Sequence, residues 1–225
     1  MRRIGFPWSK ELVNRTLASV GGTLAATKQA LATGFSGTLA GGTHHAYRQE
    51  GSGFCVFNDI AVAIEWAKAK RGVKRALIVD LDVHQGDGTA AIFQGNADVF
   101  TLSLHGERNF PFRKQRSVLD VPLPDETGDD AYIEALRPVL QQASLFGPEI
   151  VFFQAGVDPL GSDRLGRLSL TREGLARRDA LVFEFARDLK VPLVQTLGGG
   201  YSDPIELTVD AHAQSFRIAA RYFGR

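Results

Sequence analysis

Five short apolar runs recur along this sequence, and longer segments with the periodicity of amphipathic helices separate them. The five candidate strands are residues 37–41, 75–83, 99–104, 149–156 and 192–198. Their apolar residues are continuous rather than alternating, which is typical of strands buried on both faces of a parallel sheet. The alternation of strands with helices predicts an α/β protein, built as a three-layer αβα sandwich around a doubly wound, mainly parallel sheet.

The length of 225 residues suits a single domain, residues 1–225, because the sequence shows neither an internal repeat nor a linker. Basic residues number 26 and acidic residues 25, so the net charge of +1 predicts no binding to nucleic acid or to an anionic membrane. One cysteine, Cys55, excludes an internal disulfide and fits a reducing compartment. No apolar run approaches the ~18 residues that cross a bilayer, and the first residues lack the apolar core of a secretory signal. We therefore expect a cytoplasmic protein.

Two local features complete the predicted organisation. The longest irregular segment runs from about residue 105 to residue 130, which is too long for a simple connection, and such loops are often functional or flexible. A helix is expected to begin at Thr171, whose side-chain oxygen can accept a hydrogen bond at the first turn, although Gly174 replaces the acid of a full capping box.

Chemically reactive side chains stand at the carboxyl ends of four predicted strands, where open parallel sheets bind their ligands. In chain order these residues are His44, His45, Asp82, His84, Asp158 and Tyr201. Because the carboxyl ends of parallel strands share one edge of a sheet, we expect these side chains to converge on one site.

Asp82 and His84 are two positions apart, so on extended backbone both side chains point to the same side. Asp158, from another strand end, would complete a set of one histidine and two carboxylates. Three protein ligands with an open position are what a catalytic metal requires, since water or substrate must occupy the remainder. Taken alone, Asp-x-His also fits a polar strand end with ordinary hydrogen bonds, and Asp158 alone fits a turn residue.

The adjacent His44 and His45 could bind a metal, act as general base and general acid, or have a purely structural role. Two imidazoles perform both acid and base functions only if their pKa values differ. Asp80 and Asp87 are available to accept the Nδ1 proton of each ring and to fix its tautomer. Tyr201 follows three glycines, and its hydroxyl could donate to a developing oxyanion.

Four segments carry these residues: GGTHHAYRQEGSGFCVFNDIAVA, VDLDVHQGDG, AGVDPLGSDRLGRLSLT and LGGGY. In order and spacing they resemble the signature blocks of the histone deacetylase family, and DVHQGDG and GSDRLGRLS look closest to bacterial members and the class IV branch. The resemblance implies the arginase/deacetylase fold. It also implies a zinc-dependent amidohydrolase that removes acetyl or longer acyl groups from lysine side chains.

Carried over by position, the resemblance implies that Asp82, His84 and Asp158 bind Zn²⁺. Fe²⁺ or Co²⁺ also suits such an oxygen-rich site. His44 and His45 would be the tandem acid-base histidines, paired with Asp80 and Asp87 respectively. Tyr201 would polarise the amide carbonyl beside the metal.

The resemblance also implies residues for the substrate and for a second ion. The expected substrate-binding residues are Gly53, Phe54, Phe112 (with Phe110 as an alternative), Gly156 and Leu165. A structural K⁺ would be bound by the region of Asp80, Asp82, His84, Ser103 and Leu104.

The sequence departs from the family pattern at its amino-terminal end. Relatives usually begin with several tens more residues, so we expect an N-terminally shortened form whose exposed sheet would favour a homo-oligomer. Gln85 also replaces a histidine found in many eukaryotic members.

The leading expectation is an enzyme acting on an acyl-lysine protein or peptide. A second possibility is hydrolysis of a small acylated amine such as an acetylpolyamine, for which Asp125, Glu126, Asp129 and Asp130 could supply an acidic entrance. A preference for fatty acyl groups, a non-catalytic acyl-lysine binding module and an arginase-type dimanganese enzyme are further alternatives. The complete acid-base set argues against the binding module, and the dimanganese enzyme requires more aspartate ligands than this sequence offers.

Overall fold

The computed structural model describes residues 3–224 and shows one sheet in that range. Its strands are β1 (Phe35–Gly37), β2 (Ala76–Asp80), β3 (Val99–Gly106), β4 (Leu119–Leu123), β5 (Ile150–Gln154) and β6 (Leu193–Thr196). The helices are α1 (Lys10–Thr33), α2 (Asp59–Arg71), α3 (Asp87–Phe93), α4 (Asp129–Ser144), α5 (Arg172–Leu189) and α6 (Glu206–Phe223). The strand order is β1-β6-β5-β2-β3-β4, and these neighbouring strands pair in parallel. The predicted α/β class with a mainly parallel sheet is confirmed.

Each face of the sheet has its own hydrophobic core, because successive side chains of a strand point to opposite faces. Leu77 and Val79 of β2 pack in a cluster with residues of α4, α5 and α6. Ala76 and Ile78 of the same strand pack in a second cluster with residues of α1 and α2. The helices therefore cover both faces, as a three-layer sandwich requires. None of the helices described between residues 3 and 224 is long and apolar enough to cross a membrane.

The first strand lies earlier in the sequence than predicted. β1 covers Phe35–Gly37, whereas the predicted strand covers residues 37–41. Leu39 is 80% exposed, so the rest of this apolar run lies outside the sheet. Gly41 and Gly42 have φ angles of 81° and 82°, in the left-handed region that glycine adopts readily. These residues instead form the loop that leads to His44.

β4 lies within the segment of residues 105–130, which was expected to be irregular. It pairs with β3 alone and forms an edge of the sheet. Its sequence LDVPL has one buried residue, Leu123, and includes Pro122. An edge strand tolerates proline because no further strand needs its missing N–H group, so the hydrophobic pattern of an interior strand is absent here.

Two helices near the site begin with side-chain caps. Thr171 accepts a hydrogen bond from the Gly174 N–H at 3.1 Å, which confirms the predicted start of α5. Asn58 accepts one from the Ala61 N–H at 3.0 Å and begins α2. Its amide also donates to the carbonyl of Ala46 at 3.2 Å. Asn58 thereby joins α2 to the loop that contains the two adjacent histidines.

Candidate metal centre and catalytic residues

The three predicted metal ligands lie together at the carboxyl ends of two neighbouring strands. Asp82 and His84 follow β2, and Asp158 follows β5. One ligand atom from each residue lies within 4.8 Å of the other two. His84 Nδ1 is 3.1 Å from Asp82 Oδ1 and 3.0 Å from Asp158 Oδ2. All three residues are buried, so their polar atoms face one another rather than bulk solvent.

Backbone N–H groups orient both carboxylates. The Gly199 N–H donates to Asp82 Oδ2 at 2.7 Å, and the His84 N–H donates to Asp82 Oδ1 at 3.0 Å. The Val83 N–H donates to Asp158 Oδ1 at 2.8 Å. Because these donors are backbone groups, the path of the loops orients both carboxylates.

The donor set fits a divalent cation. Burial, together with the negative charge of Asp82, raises the pKa of Asp158 to about 7. Two buried carboxylates in such proximity are stabilised by a cation that contacts both. Within the described residues the group holds one imidazole and two carboxylates, which leaves coordination positions for water and substrate, as in catalytic sites of Zn²⁺ or Fe²⁺.

The two adjacent histidines each pair with the expected aspartate. His44 Nδ1 lies 2.7 Å from Asp80 Oδ2, and His45 Nδ1 lies 2.6 Å from Asp87 Oδ1. A carboxylate oxygen accepts, so each Nδ1 donates and each Nε2 is left for other partners. The ring centroids are 4.1 Å apart, which places two imidazoles side by side next to the metal ligands.

The surroundings of the two imidazoles separate their pKa values. Burial lowers the pKa of His44, but the charges of Asp80 and Asp82 outweigh it and raise the value to about 9. Burial and the positive charge of His44 lower the pKa of His45 to about 4, against the opposing hydrogen bond with Asp87. At neutral pH one ring is therefore cationic and its neighbour neutral, which is the difference that a paired acid and base need.

A cavity of about 940 Å³ opens above the metal ligands. Of the expected substrate-binding residues, its lining includes Gly53, Phe54, Phe112 and Leu165. Tyr201 lines it as well, and burial raises the pKa of this phenol above its usual range. Tyr201 therefore keeps its proton at neutral pH and is available as a hydrogen-bond donor.

Gly53 and Phe54 form one wall of this cavity. A Cβ at Gly53 would lie 2.6 Å from His45 Cδ2, so glycine at this position allows the wall to approach the imidazole closely. Phe54 has a φ angle of 65°, which is uncommon for a residue other than glycine, and its side chain is 46% exposed. Its ring faces that of Tyr201, with a centroid distance of 6.4 Å.

The opposite wall differs in part from expectation. The ring of Phe110 packs edge-on against His45 with a centroid distance of 4.9 Å. Phe112, the residue expected in this role, is 88% exposed and lies at the outer part of the cavity. Gly156 is not among the described residues that line the cavity. It lies behind Asp82, and a Cβ at position 156 would be 2.8 Å from the Asp82 Cγ. Glycine at position 156 thus leaves room for the Asp82 carboxylate, and a contact between Gly156 and substrate stays a prediction.

The expected K⁺ region stays a prediction. Ser103 and Leu104 lie on β3 beside Asp80, and both are buried. The Ser103 hydroxyl is 2.9 Å from His105 Nδ1, and Asp80 Oδ1 accepts from the Asp82 N–H at 3.2 Å.

Arg178 is a buried residue that the sequence analysis missed. Its side chain on α5 is 0% exposed, and its Nε donates to Asp179 at 2.8 Å. Its Nη1 donates to the carbonyls of Leu81 and Gly156, which flank the two ligand-bearing loops. The signal available in the sequence is its helical spacing from Leu175 and Val182, since a basic residue on an apolar face requires a buried partner.

Asp59 and Asp163 are two further carboxylates that fix loops of the site. Asp59 accepts from the backbone N–H groups of Gly42 and Thr43, at 3.0 and 2.7 Å, directly before the histidine pair. Asp163 accepts from the Tyr201 N–H at 2.6 Å and from the Leu165 N–H at 2.8 Å. Both residues belong to the motif segments, but their tasks depend on contacts that the sequence does not reveal.

The chain matches a family model described as the histone deacetylase domain over residues 4–215. It is 48% identical over 219 residues to an uncharacterized protein of Picosynechococcus sp., covering 97% of this chain and 73% of that protein. It is 38% identical over 186 residues to histone deacetylase 2 of Arabidopsis thaliana, covering 81% of this chain and 48% of the relative. It is also 38% identical over 173 residues to the histone deacetylase-like amidohydrolase of Pseudomonas aeruginosa, covering 71% of this chain and 46% of the relative. The chain spans about half the length of these last two relatives.

Proposed function

Because the chain belongs to the histone deacetylase family, we propose that it is a metal-dependent amidohydrolase that removes acetyl or longer acyl groups from lysine side chains. The observation that supports this most directly is the convergence of two systems at one cavity. One is the ligand group of Asp82, His84 and Asp158, and the other is the adjacent His44 and His45. A binding module has no need of a paired acid and base beside a metal site.

Asp82, His84 and Asp158 would hold the metal, for which Zn²⁺ is our first choice and Fe²⁺ the alternative. A divalent cation there would supply Lewis acidity, which makes an amide carbonyl more electrophilic and lowers the pKa of water. The backbone N–H groups that bind the carboxylates keep these ligands oriented during turnover.

His45 is the general base in this proposal. Its Nδ1–H is held by Asp87, its pKa is lowered to about 4, and its neutral Nε2 can accept a proton from the attacking water. His44, held by Asp80, is cationic at neutral pH and keeps positive charge beside the reacting amide. A proton held by this histidine pair then passes to the departing amine, so that a free lysine and a carboxylate are released.

Tyr201 is the oxyanion donor in this proposal. Its phenol stays protonated and faces the same cavity as the ligand group. It donates to the carbonyl oxygen as negative charge develops there, an interaction that strengthens toward the transition state. Phe54 and Phe110 would enclose the aliphatic part of the acyl-lysine between them.

The decisive experiment is hydrolysis by metal-free protein reconstituted anaerobically with Zn²⁺ or with Fe²⁺. The substrates are an acetyl-lysine peptide, a myristoyl-lysine peptide and acetylputrescine, and the released amine is quantified. We expect hydrolysis of acyl-lysine peptide that His45→Ala reduces by roughly 10²-fold or more. The control, Gln141→Ala at an exposed position of α4, lies outside the cavity lining and should retain activity. Peptide binding without amine release by any metal form would instead identify a binding module.

A further inference from the structure

The entrance of the cavity is rich in arginine. Above the metal ligands and the histidine pair, the charged residues that line the cavity are Arg3, Arg15, Glu50, Arg108, Arg113 and Arg167. All of these side chains are exposed. Five guanidinium groups therefore face one carboxylate at the entrance, although the whole chain has a net charge of only +1. We call this group of five arginines the basic entrance.

Existing ion pairs leave the basic entrance with an excess of positive charge. Arg3 pairs with Glu50. Asp125, whose side chain is 26% exposed, lies 3.3 Å from Arg167 and 3.8 Å from Arg108, so one carboxylate is shared by two guanidinium groups. Among residues 3–224, no carboxylate forms an ion pair with Arg113. The segment around Arg113 reads RKQR, which adds further positive charge at the same place.

The acidic residues that could have favoured a cationic polyamine have other partners. Asp125 is paired as described, and Glu126 accepts from the Ser169 hydroxyl at 2.6 Å. Asp129 accepts from the N–H of Thr171, the N-cap residue of α5, at 2.8 Å. Asp130 pairs with Arg177 at 2.8 Å. Among the described residues, none of the four lines the cavity, so they do not supply an acidic entrance for a small cation.

We propose that the basic entrance selects acyl-lysine peptides that carry aspartate or glutamate next to the acylated lysine. This inference rests on the proposed function and names its substrate class. Each exposed charge pair contributes little alone, but several arginines around one opening create a positive potential that attracts an acidic peptide and repels a basic one. The selection acts mainly on association with the entrance, and it weakens with salt because the Debye length is about 8 Å at physiological ionic strength.

The test compares three peptides that share one acyl-lysine and differ only in the four flanking residues. The flanks are acidic (Asp and Glu), neutral (Ser and Gly) or basic (Arg and Lys). With metal-loaded protein at low salt we expect kcat/KM to fall in that order, by about 10-fold between the acidic and the basic peptide. In 0.5 M NaCl the difference should shrink to about 2-fold.

A pair of matched variants assigns the preference to the entrance. Arg113→Gln removes one charge from the basic entrance and should reduce the ratio of kcat/KM for the acidic peptide to that for the basic peptide by about 2-fold. Arg217→Gln removes the same charge from an exposed position on α6, outside the cavity lining, and should leave the ratio unchanged. Equal hydrolysis of the three peptides would overturn this inference alone. Failure to hydrolyse any of them would overturn the proposed function as well.

Discussion

Tyr201 contributes a single hydroxyl to the site, so its removal isolates one catalytic interaction. Tyr201→Phe should lower kcat by roughly 10²-fold or more, as the loss of other oxyanion donors does, while the bound metal stays at wild-type level. Steady-state kinetics and metal analysis of the same preparation measure both quantities. Tyr222→Phe on α6 is the matched control and should retain full activity. Normal turnover by Tyr201→Phe would remove this residue from the mechanism.

Asp158 should lower the stability of the metal-free protein and raise the stability of the protein when metal is bound. In metal-free protein it repels the buried Asp82, so Asp158→Asn should be as stable as the wild type or more stable at pH 8. Added Zn²⁺ should raise the Tm of the wild type through binding to the native state, and much less that of Asp158→Asn. Differential scanning fluorimetry with and without Zn²⁺ measures this. Asp210→Asn, at an exposed position of α6, is the control. An equal Zn²⁺-induced shift in both proteins would exclude Asp158 as a ligand.

Site residues that belong to short sequence motifs were the easiest to predict from the sequence. Asp82 and His84 stand two positions apart, and together with Asp158 and the adjacent histidines they form a combination that predicts one site, although each motif alone has other interpretations. Arg178 belongs to no such motif, and only its helical spacing from Leu175 and Val182 indicates that it lies on the apolar face of α5. Its burial depends on the carbonyls that α5 happens to meet, and that information lies in tertiary contacts.

The side chain of Gln85 anchors the loop between β3 and β4. The Gln85 amide donates to the Gln115 carbonyl and accepts from the Gln115 N–H, both at 2.8 Å. It also donates to Asp120 Oδ1 at 2.8 Å. The loop contains Phe110 and Arg113, so Gln85 connects the metal-ligand loop to the cavity wall and to its entrance.

Gln85→Ala should therefore loosen this loop. The loss of three hydrogen bonds, which leaves half-buried groups of Gln115 and Asp120 unpaired, should lower the free energy of unfolding by about 1–3 kcal/mol. Hydrogen–deuterium exchange should become faster in residues 107–118 and stay unchanged in α6. Gln94→Ala, at an exposed position after α3, is the control for the loss of an amide. Unchanged exchange in this loop would show that other contacts hold it.

The elements themselves were predictable to different degrees. Interior strands such as β2 and β5 are buried throughout, and their continuous apolar sequence reflects that position. The two edge strands were misplaced or missed, because an edge strand needs one partner and one covered face only. β1 has three half-buried residues, and β4 includes Pro122. Hydrophobic pattern reports burial, so it locates strands in the centre of a sheet better than at its edges.

The site depends on both helical layers of the sandwich. The histidine loop is tied to the layer of α1 and α2 through Asp59 and Asn58. The two ligand loops are tied to the opposite layer through Arg178 of α5. The sheet between these layers sets the spacing of the loops, which is why residues from distant parts of the chain reach one cavity.

The stability of this assembly should depend on pH through His212 of α6. In the described structure its Nδ1 is buried and makes no hydrogen bond within the protein. Burial and the positive charge of Arg178 lower its pKa to about 4, from 6.5 in the unfolded chain. Between these two pH values the unfolded chain binds a proton that the native protein does not. The free energy of unfolding is therefore highest, as far as His212 is concerned, above pH 6.5, and it decreases as the pH falls toward 4.

His212→Gln lacks this titration, so comparison with the wild type isolates it from the other histidines and carboxylates. We expect the free energy of unfolding of the wild type, minus that of the variant, to decrease as the pH falls from 7.5 to 4.5. Urea unfolding of metal-free protein at several pH values gives this difference directly, and the common metal-site contribution cancels. If the difference stayed constant over this range, His212 would be titrating with its unfolded pKa in the native protein. Its imidazole would then be hydrated rather than enclosed by the protein.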